Sequence, residues 1–184
     1  TQTVDSSAGN ANLTFLATVD GEILGGAFNI LDQLLKANEY LALNAGTSAC
    51  TFTGCVPFTV APKVEAYWEK GFNPNSYFGE SRGLSFYLPS YSRLFILGGI
   101  DGDTDSSDTD HFDNSIIIHE YGHFIEDVLT TSDSPGGYHD GEAPIDPRLA
   151  WSEAWGDFLQ AAVQNNPYYI DTYGNVDGTQ DGTY

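Results

Sequence analysis

His119 and Glu120 are adjacent, and His123 follows four residues after the first His, with Tyr121 and Gly122 between them. On a helix, positions four apart share a face, so both imidazoles can reach one cation. Glu120, one step along, can lean toward a water activated at that cation and take its proton. The spacing therefore predicts hydrolysis by a metal-activated water. His119 and His123 would be ligands, Glu120 the general base and Zn2+ the expected metal.

A zinc hydrolase needs a third protein ligand and one position left for water. A His six residues after His123 is excluded, because Leu129 stands there. The best candidate is Glu153, within Ser152-Glu153-Ala154-Trp155-Gly156-Asp157. Asp157 lies four residues further on, faces the same way on a helix and can accept the free ring N–H of a ligating His. A carboxylate pair inside a strongly apolar helix is costly to bury without such partners. His139, Asp140 and Glu142 in the intervening loop are the alternatives.

Two helices must position these groups. The first starts near Asn114 or Ser115 and runs to about Leu129, with Phe124, Ile125, Val128 and Leu129 inward. A loop rich in Gly, Pro and Asp follows. The second helix spans Arg148 to Gln164, with an apolar stripe of Trp151, Ala154, Trp155, Phe158, Leu159, Ala162 and Val163. An upstream helix covers Ala27 to Leu43. Lys63 to Lys70, Ser76 to Phe78, Leu84 to Leu88 and Leu94 to Leu97 read as short strands. The pattern predicts one α+β domain over residues 1–184 that opens with a polar segment, residues 1–26. A small twisted, mainly antiparallel sheet would pack on the motif helix, with the glutamate-bearing helix beside it.

His119-Glu120-Tyr121-Gly122-His123 and Glu153-Ala154-Trp155-Gly156-Asp157-Phe158 together resemble the two helix motifs of the gluzincin metallopeptidases, the thermolysin and fungalysin group. Gly71 to Phe78 is similar to the strand on which those enzymes pair an extended substrate, which makes Asn75, Ser76 and Tyr77 candidate substrate contacts. The resemblance spans about residues 63–163 and implies a zincin-like fold and a peptide or protein substrate. His119, His123 and Glu153 would hold zinc, Glu120 would serve as base and then as proton donor to the leaving amine, and Asp157 would orient His119. The chain departs from the family at Ser152, where Asn or Gly is usual. It also shows no counterpart of the C-terminal helical subdomain that supplies a His or Tyr to the oxyanion, and residues 154–184 contain no His. Tyr138 and His139 before the second helix are candidate substitutes, as are Tyr168, Tyr169, Tyr173 and Tyr184 after it. The chain accordingly reads as one domain of a longer protein. A domain of this fold without peptidase activity, or a zinc hydrolase of another substrate, are the rival readings.

The formal net charge of -20 comes from 26 acidic and 6 basic residues. Such a surface repels nucleic acid and anionic membranes, and it attracts divalent cations. Asp101, Asp103 and Asp105 open a loop with the look of a Ca2+ site, although Ser106 and Phe112 break the EF-hand pattern. Cys50 and Cys55 flank four residues and read as a local disulfide rather than two free thiols, which implies a secreted, extracellular protein. The sequence lacks Met and a secretory leader, as a processed chain would. Asn12-Leu13-Thr14 is a glycosylation sequon.

Overall fold

The computed structural model describes residues 25–45, 60–139, 143–174 and 180–181. Cys50, Cys55, the sequon at Asn12 and most of the polar N-terminal segment lie outside these residues.

Three helices and a small sheet make an α+β arrangement. The order is α1 (Gly25–Ala45), β1 (Glu65–Tyr67), β2 (Phe86–Leu88), β3 (Arg93–Phe95), α2 (Asn114–Leu129) and α3 (Pro147–Gln164). A short pair, β4 (Tyr173–Gly174) and β5 (Gln180–Asp181), follows α3. No helix among the described residues is long and apolar enough to cross a membrane.

The three-stranded sheet has the order β1-β3-β2, with β1 parallel and β2 antiparallel to β3. It is therefore mixed rather than mainly antiparallel. The long stretch between β1 and β3 lets the chain return in the same direction, which a tight hairpin cannot do. Leu94 is the centre of the register, opposite Ala66 on one side and Tyr87 on the other.

The expected strand at Ser76 to Phe78 is instead part of a 3-10 helix, Pro74–Phe78. Local chemistry decides this. Asn73 accepts the Asn75 N–H at 3.0 Å, Pro74 supplies a preset φ at the first position, and Gly79 closes the turn with φ 76°. Asn75, Ser76 and Tyr77 are thus not a substrate edge strand. Asn75 is buried, and its amide donates to the Leu84 carbonyl at 2.8 Å.

Helix α2 crosses the middle of the fold. Ile116, Ile117, Ile118, Tyr121, Phe124 and Ile125 are all buried against α1, α3 and the sheet. Leu129, expected inside, lies at the exposed end. Asp146 caps α3 through the Arg148 N–H, Pro147 occupies its first turn, and Asn165 ends it with φ 51°. The apolar stripe expected inside α3 is only partly inside: Leu159 is buried and Trp155 and Val163 pack on the core, but Trp151 is 71% and Phe158 60% exposed. The buried face is Leu149, Ser152, Gly156, Leu159 and Gln160. The polar residues of the site must face α2, so Trp151 and Phe158 are turned outward.

Candidate metal centre

Glycine sets how close the two helices come. A methyl group on Gly122 would lie 3.1 Å from the Gly156 Cα, so α2 and α3 touch backbone to backbone at this crossing. Trp155 fastens it by donating its indole N–H to the Gly122 carbonyl at 2.9 Å. Glycine inside a helix costs about 1 kcal/mol relative to alanine, and here the close approach is its return. About one turn before the crossing α3 presents Glu153 to both imidazoles of α2, and immediately after it Asp157 meets His119.

The donor atoms converge. His119 Nε2 lies 3.1 Å from His123 Nε2 and 3.1 Å from Glu153 Oε2, and His123 Nε2 is 3.5 Å from Glu153 Oε1. Tetrahedral zinc with bonds of about 2.0–2.1 Å requires ligand atoms about 3.3 Å apart. The spacings are close to that requirement, with each imidazole facing a different oxygen of Glu153, and one ligand atom from each residue lies within 4.8 Å of the others. The donor set of two imidazoles and one carboxylate suits zinc.

The structure brings Asp157 to His119, with Oδ1 at 2.9 Å from Nδ1. An acceptor there keeps a proton on Nδ1 and turns Nε2 toward the other ligand atoms. In the metal-free protein, burial alone would lower the His119 pKa, but the bonds to Asp157 and Glu153 outweigh it and push it up to about 10. Burial likewise acts to raise Glu153, yet the hydrogen bonds from His119 and His123 hold it well below the usual carboxylate range.

Glu120 lies on the same helix and is anchored from the sheet. The backbone N–H of Tyr87 in β2 donates to its Oε2 at 2.7 Å. Burial raises the Glu120 carboxyl above its ordinary value, against the opposing pull of both His residues and the Tyr87 N–H. Tyr87 is itself held by its hydroxyl, which donates to Asp127 at 2.6 Å.

The candidate oxyanion groups separate. His139 points into the site, its Nε2 3.0 Å from Glu153 Oε2 and its Nδ1 3.1 Å from the Gly137 carbonyl. Tyr138 also lines the cleft and lies under the Arg82 guanidinium, 3.7 Å from the ring centroid. Tyr169 is set edge-on to His119, with ring centroids 5.8 Å apart, and lines the cleft. Tyr168 is exposed. Asp140, Glu142 and Tyr184 lie outside the described residues, as does the side chain of Tyr173.

Asp101, Asp103 and Asp105 do not assemble into a group. Asp103 instead accepts from the Asp105 and Ser106 amides at 2.8 and 2.9 Å and from the Ser106 hydroxyl, which closes the loop on itself. Among the described residues, the acidic side chains that do come together are Asp108, Asp110 and Asp171, with oxygens within 4.8 Å of one another. Asp110 is buried and takes the Ser85 hydroxyl at 2.5 Å. The spacing of Asp108 and Asp110 was visible in the chain, but Asp171 comes from beyond α3 and no local pattern links it to them.

Sequence reasoning also missed Glu126, the consequence of Ser152 and the two glycines of the crossing. Their only signal was an unexplained Gly inside each helix and a Glu facing the apolar side of α2. Comparison with protein-family models, with curated proteins and with solved structures finds no match for this chain.

Proposed function

We propose that this domain is a zinc-dependent endopeptidase of gluzincin type, hydrolysing peptide bonds of proteins outside the cell. The observation that carries the reading is the convergence of His119 Nε2, His123 Nε2 and the Glu153 carboxylate at close to tetrahedral spacing, with Glu120 next to His119 on α2. A bound zinc ion would supply a Lewis acid that activates water and polarises a carbonyl. His119, His123 and Glu153 would hold it.

The chain's own residues supply the rest. Glu120, made more basic by burial, takes the proton of the attacking water and passes it to the leaving amine. The Tyr87 N–H keeps that carboxylate in one orientation. Asp157 holds the His119 ring. His139 and Tyr169 are the side chains beside the ligands that can face charge developing on a carbonyl oxygen.

A peptide substrate is favoured by the shape of the surroundings. The cleft has a volume of about 1160 Å³ and is lined by Phe86, Tyr87 and Leu88 of β2 as well as by the site. Pockets for small ligands run to about 300–1,000 Å³. Among the described residues β2 pairs only with β3; its Tyr87 N–H is held by Glu120, so an extended chain would pair with the remaining backbone groups of that outer edge. The extracellular location rests on reading Cys50 and Cys55 as a disulfide.

The test compares the parent with Glu120→Gln on an unfolded protein substrate, both loaded with one zinc per chain. Cleavage by the parent and a loss of at least about 100-fold in the variant supports the peptidase. A parent that holds zinc and cleaves no protein would overturn it in favour of a binding role.

A further inference from the structure

The metal ligand His123 has its own support, separate from Asp157. Its Nδ1 lies 3.2 Å from the Ser152 hydroxyl oxygen, and that hydroxyl donates to Glu126 Oε2 at 2.5 Å. Ser152 and Glu126 are both buried, on facing sides of α3 and α2. Ser132, in the loop after α2, donates to the other carboxylate oxygen of Glu126 at 2.9 Å.

Proton counting fixes the direction of this chain. A serine hydroxyl has one proton and two lone pairs, and a carboxylate only accepts. The Ser152 proton must therefore go to Glu126, which leaves the Ser152 oxygen facing His123 as an acceptor. An acceptor at 3.2 Å calls for a proton on Nδ1 of His123. Nε2 is then the atom directed at His119 and Glu153, where a metal would sit and take its lone pair in place of the proton shared with Glu153. Without Glu126 the hydroxyl would be free to rotate and donate to Nδ1, which favours a proton on Nε2 and blocks the ligand atom.

We infer that Glu126, acting through Ser152, is a positioning residue that sets the tautomer of His123 for metal binding. The metal part of this inference rests on the zinc reading above, whereas the tautomer part does not. The same carboxylate holds Ser132, at the start of the loop that brings His139 onto Glu153. Glu126 thus ties one ligand and the loop over the site to a single buried group. The residue before the ligand glutamate needs to be one that both accepts from the imidazole and donates to Glu126, and a serine does this.

The experiment uses protein with 15N-labelled histidine and a chelator competition for zinc. In the metal-free parent, the His123 Nδ1 proton is expected as a hydrogen-bonded signal. In Glu126→Gln the amide can donate to Ser152, so that signal is expected to weaken or vanish. Zinc affinity should fall by about 10–100-fold, the usual effect of losing an outer partner of a ligand. Ser152→Ala should match it, and Ser152→Thr, which keeps the hydroxyl, should restore both readouts. If Glu126→Gln does not fold, the two Ser152 variants decide the question. An unprotonated His123 Nδ1 in the parent overturns the inference, whatever the zinc result. So does a Glu126→Gln or Ser152→Ala protein that keeps the Nδ1 proton and binds zinc like the parent. A parent that carries the Nδ1 proton but binds no zinc sinks the zinc reading and leaves the tautomer assignment standing.

Discussion

Replacing Gly156 with alanine places a methyl group where the His119 ring already lies. The added carbon would sit 2.8 Å from Cε1, 2.8 Å from Nδ1 and 2.9 Å from Cγ of that ring. Non-bonded carbons prefer about 3.5–4.0 Å, so the ring or the helix must move by about 0.7 Å. Overpacking of this kind costs about 1–3 kcal/mol. Alanine returns about 1 kcal/mol of helix propensity over glycine, so the metal-free fold is expected to lose only about 0–2 kcal/mol. Metal binding tolerates far less, because ligand distances must hold within about 0.2 Å. Zinc affinity is therefore expected to fall by about 100-fold or more, worth about 2.7 kcal/mol, while the metal-free protein still unfolds cooperatively. Chelator competition measures the first quantity, and urea denaturation of the metal-free protein the second. An affinity within about twofold of the parent would refute the idea that the bare backbone of α3 is what positions His119. Gly122→Ala is the internal control. Its methyl meets Gly156 Cα at 3.1 Å, a milder contact, so its effect on affinity should be the smaller of the two.

Asp157→Ala should lower zinc affinity about 10–100-fold by freeing the His119 ring, and an unchanged affinity would remove Asp157 from the site. In the metal-free protein, His119 sits at about 10 against an ordinary 6.5, through Asp157 and Glu153 and in spite of burial. A raised folded value stabilises fully below 6.5 and loses that contribution as pH rises to about 10, so the metal-free Tm should fall across this window. The zinc-loaded protein should hold its Tm there, and parallel melting curves would contradict the scheme. Asp110 is pushed well above the ordinary 3.8 by burial and by the neighbouring Asp108, which itself rises to about 7 for the same two kinds of reason, burial and Asp171. These raised values stabilise the fold below about 3.8 and cease to do so as pH climbs through 7. Asp110→Asn is thus expected to melt higher than the parent at neutral pH and like it near pH 4, as followed by thermal denaturation. A variant less stable than the parent at neutral pH would mean that the carboxylate is already compensated.

Much of the site was legible because its chemistry is local. The spacing of His119, Glu120 and His123 is a helical repeat, and Glu153 with Asp157 is another, so each helix declares its own donors. The helices themselves were marked by periodic apolar residues, and their ends fell within a few residues of Asn114, Leu129, Arg148 and Gln164. What the chain did not reveal depends on contact between segments. The outward turn of Trp151 and Phe158 follows from the need of Ser152, Glu153 and Asp157 to meet α2, while Trp155 and Leu159 of the same stripe stay packed on the core. Ser76 to Phe78 reads like a short strand, but Asn73 and Gly79 cap Pro74–Phe78 as a 3-10 helix. Asp171 joins Asp108 and Asp110 only because the chain doubles back after α3.

The burial of α2 on nearly all sides gives the site two stability regimes. Residues Ser115 through Tyr121 are shielded apart from Glu120, and so are Phe124 to Glu126. Amides so placed exchange with solvent only when the whole domain opens. The loop from Thr131 to His139 is mostly exposed and opens at far lower free energy. His119 and His123 thus stand on the slowest-exchanging part of the molecule, and His139 on one of the fastest. A metal ion would leave by way of the loop, with the two imidazoles still in place for the next one.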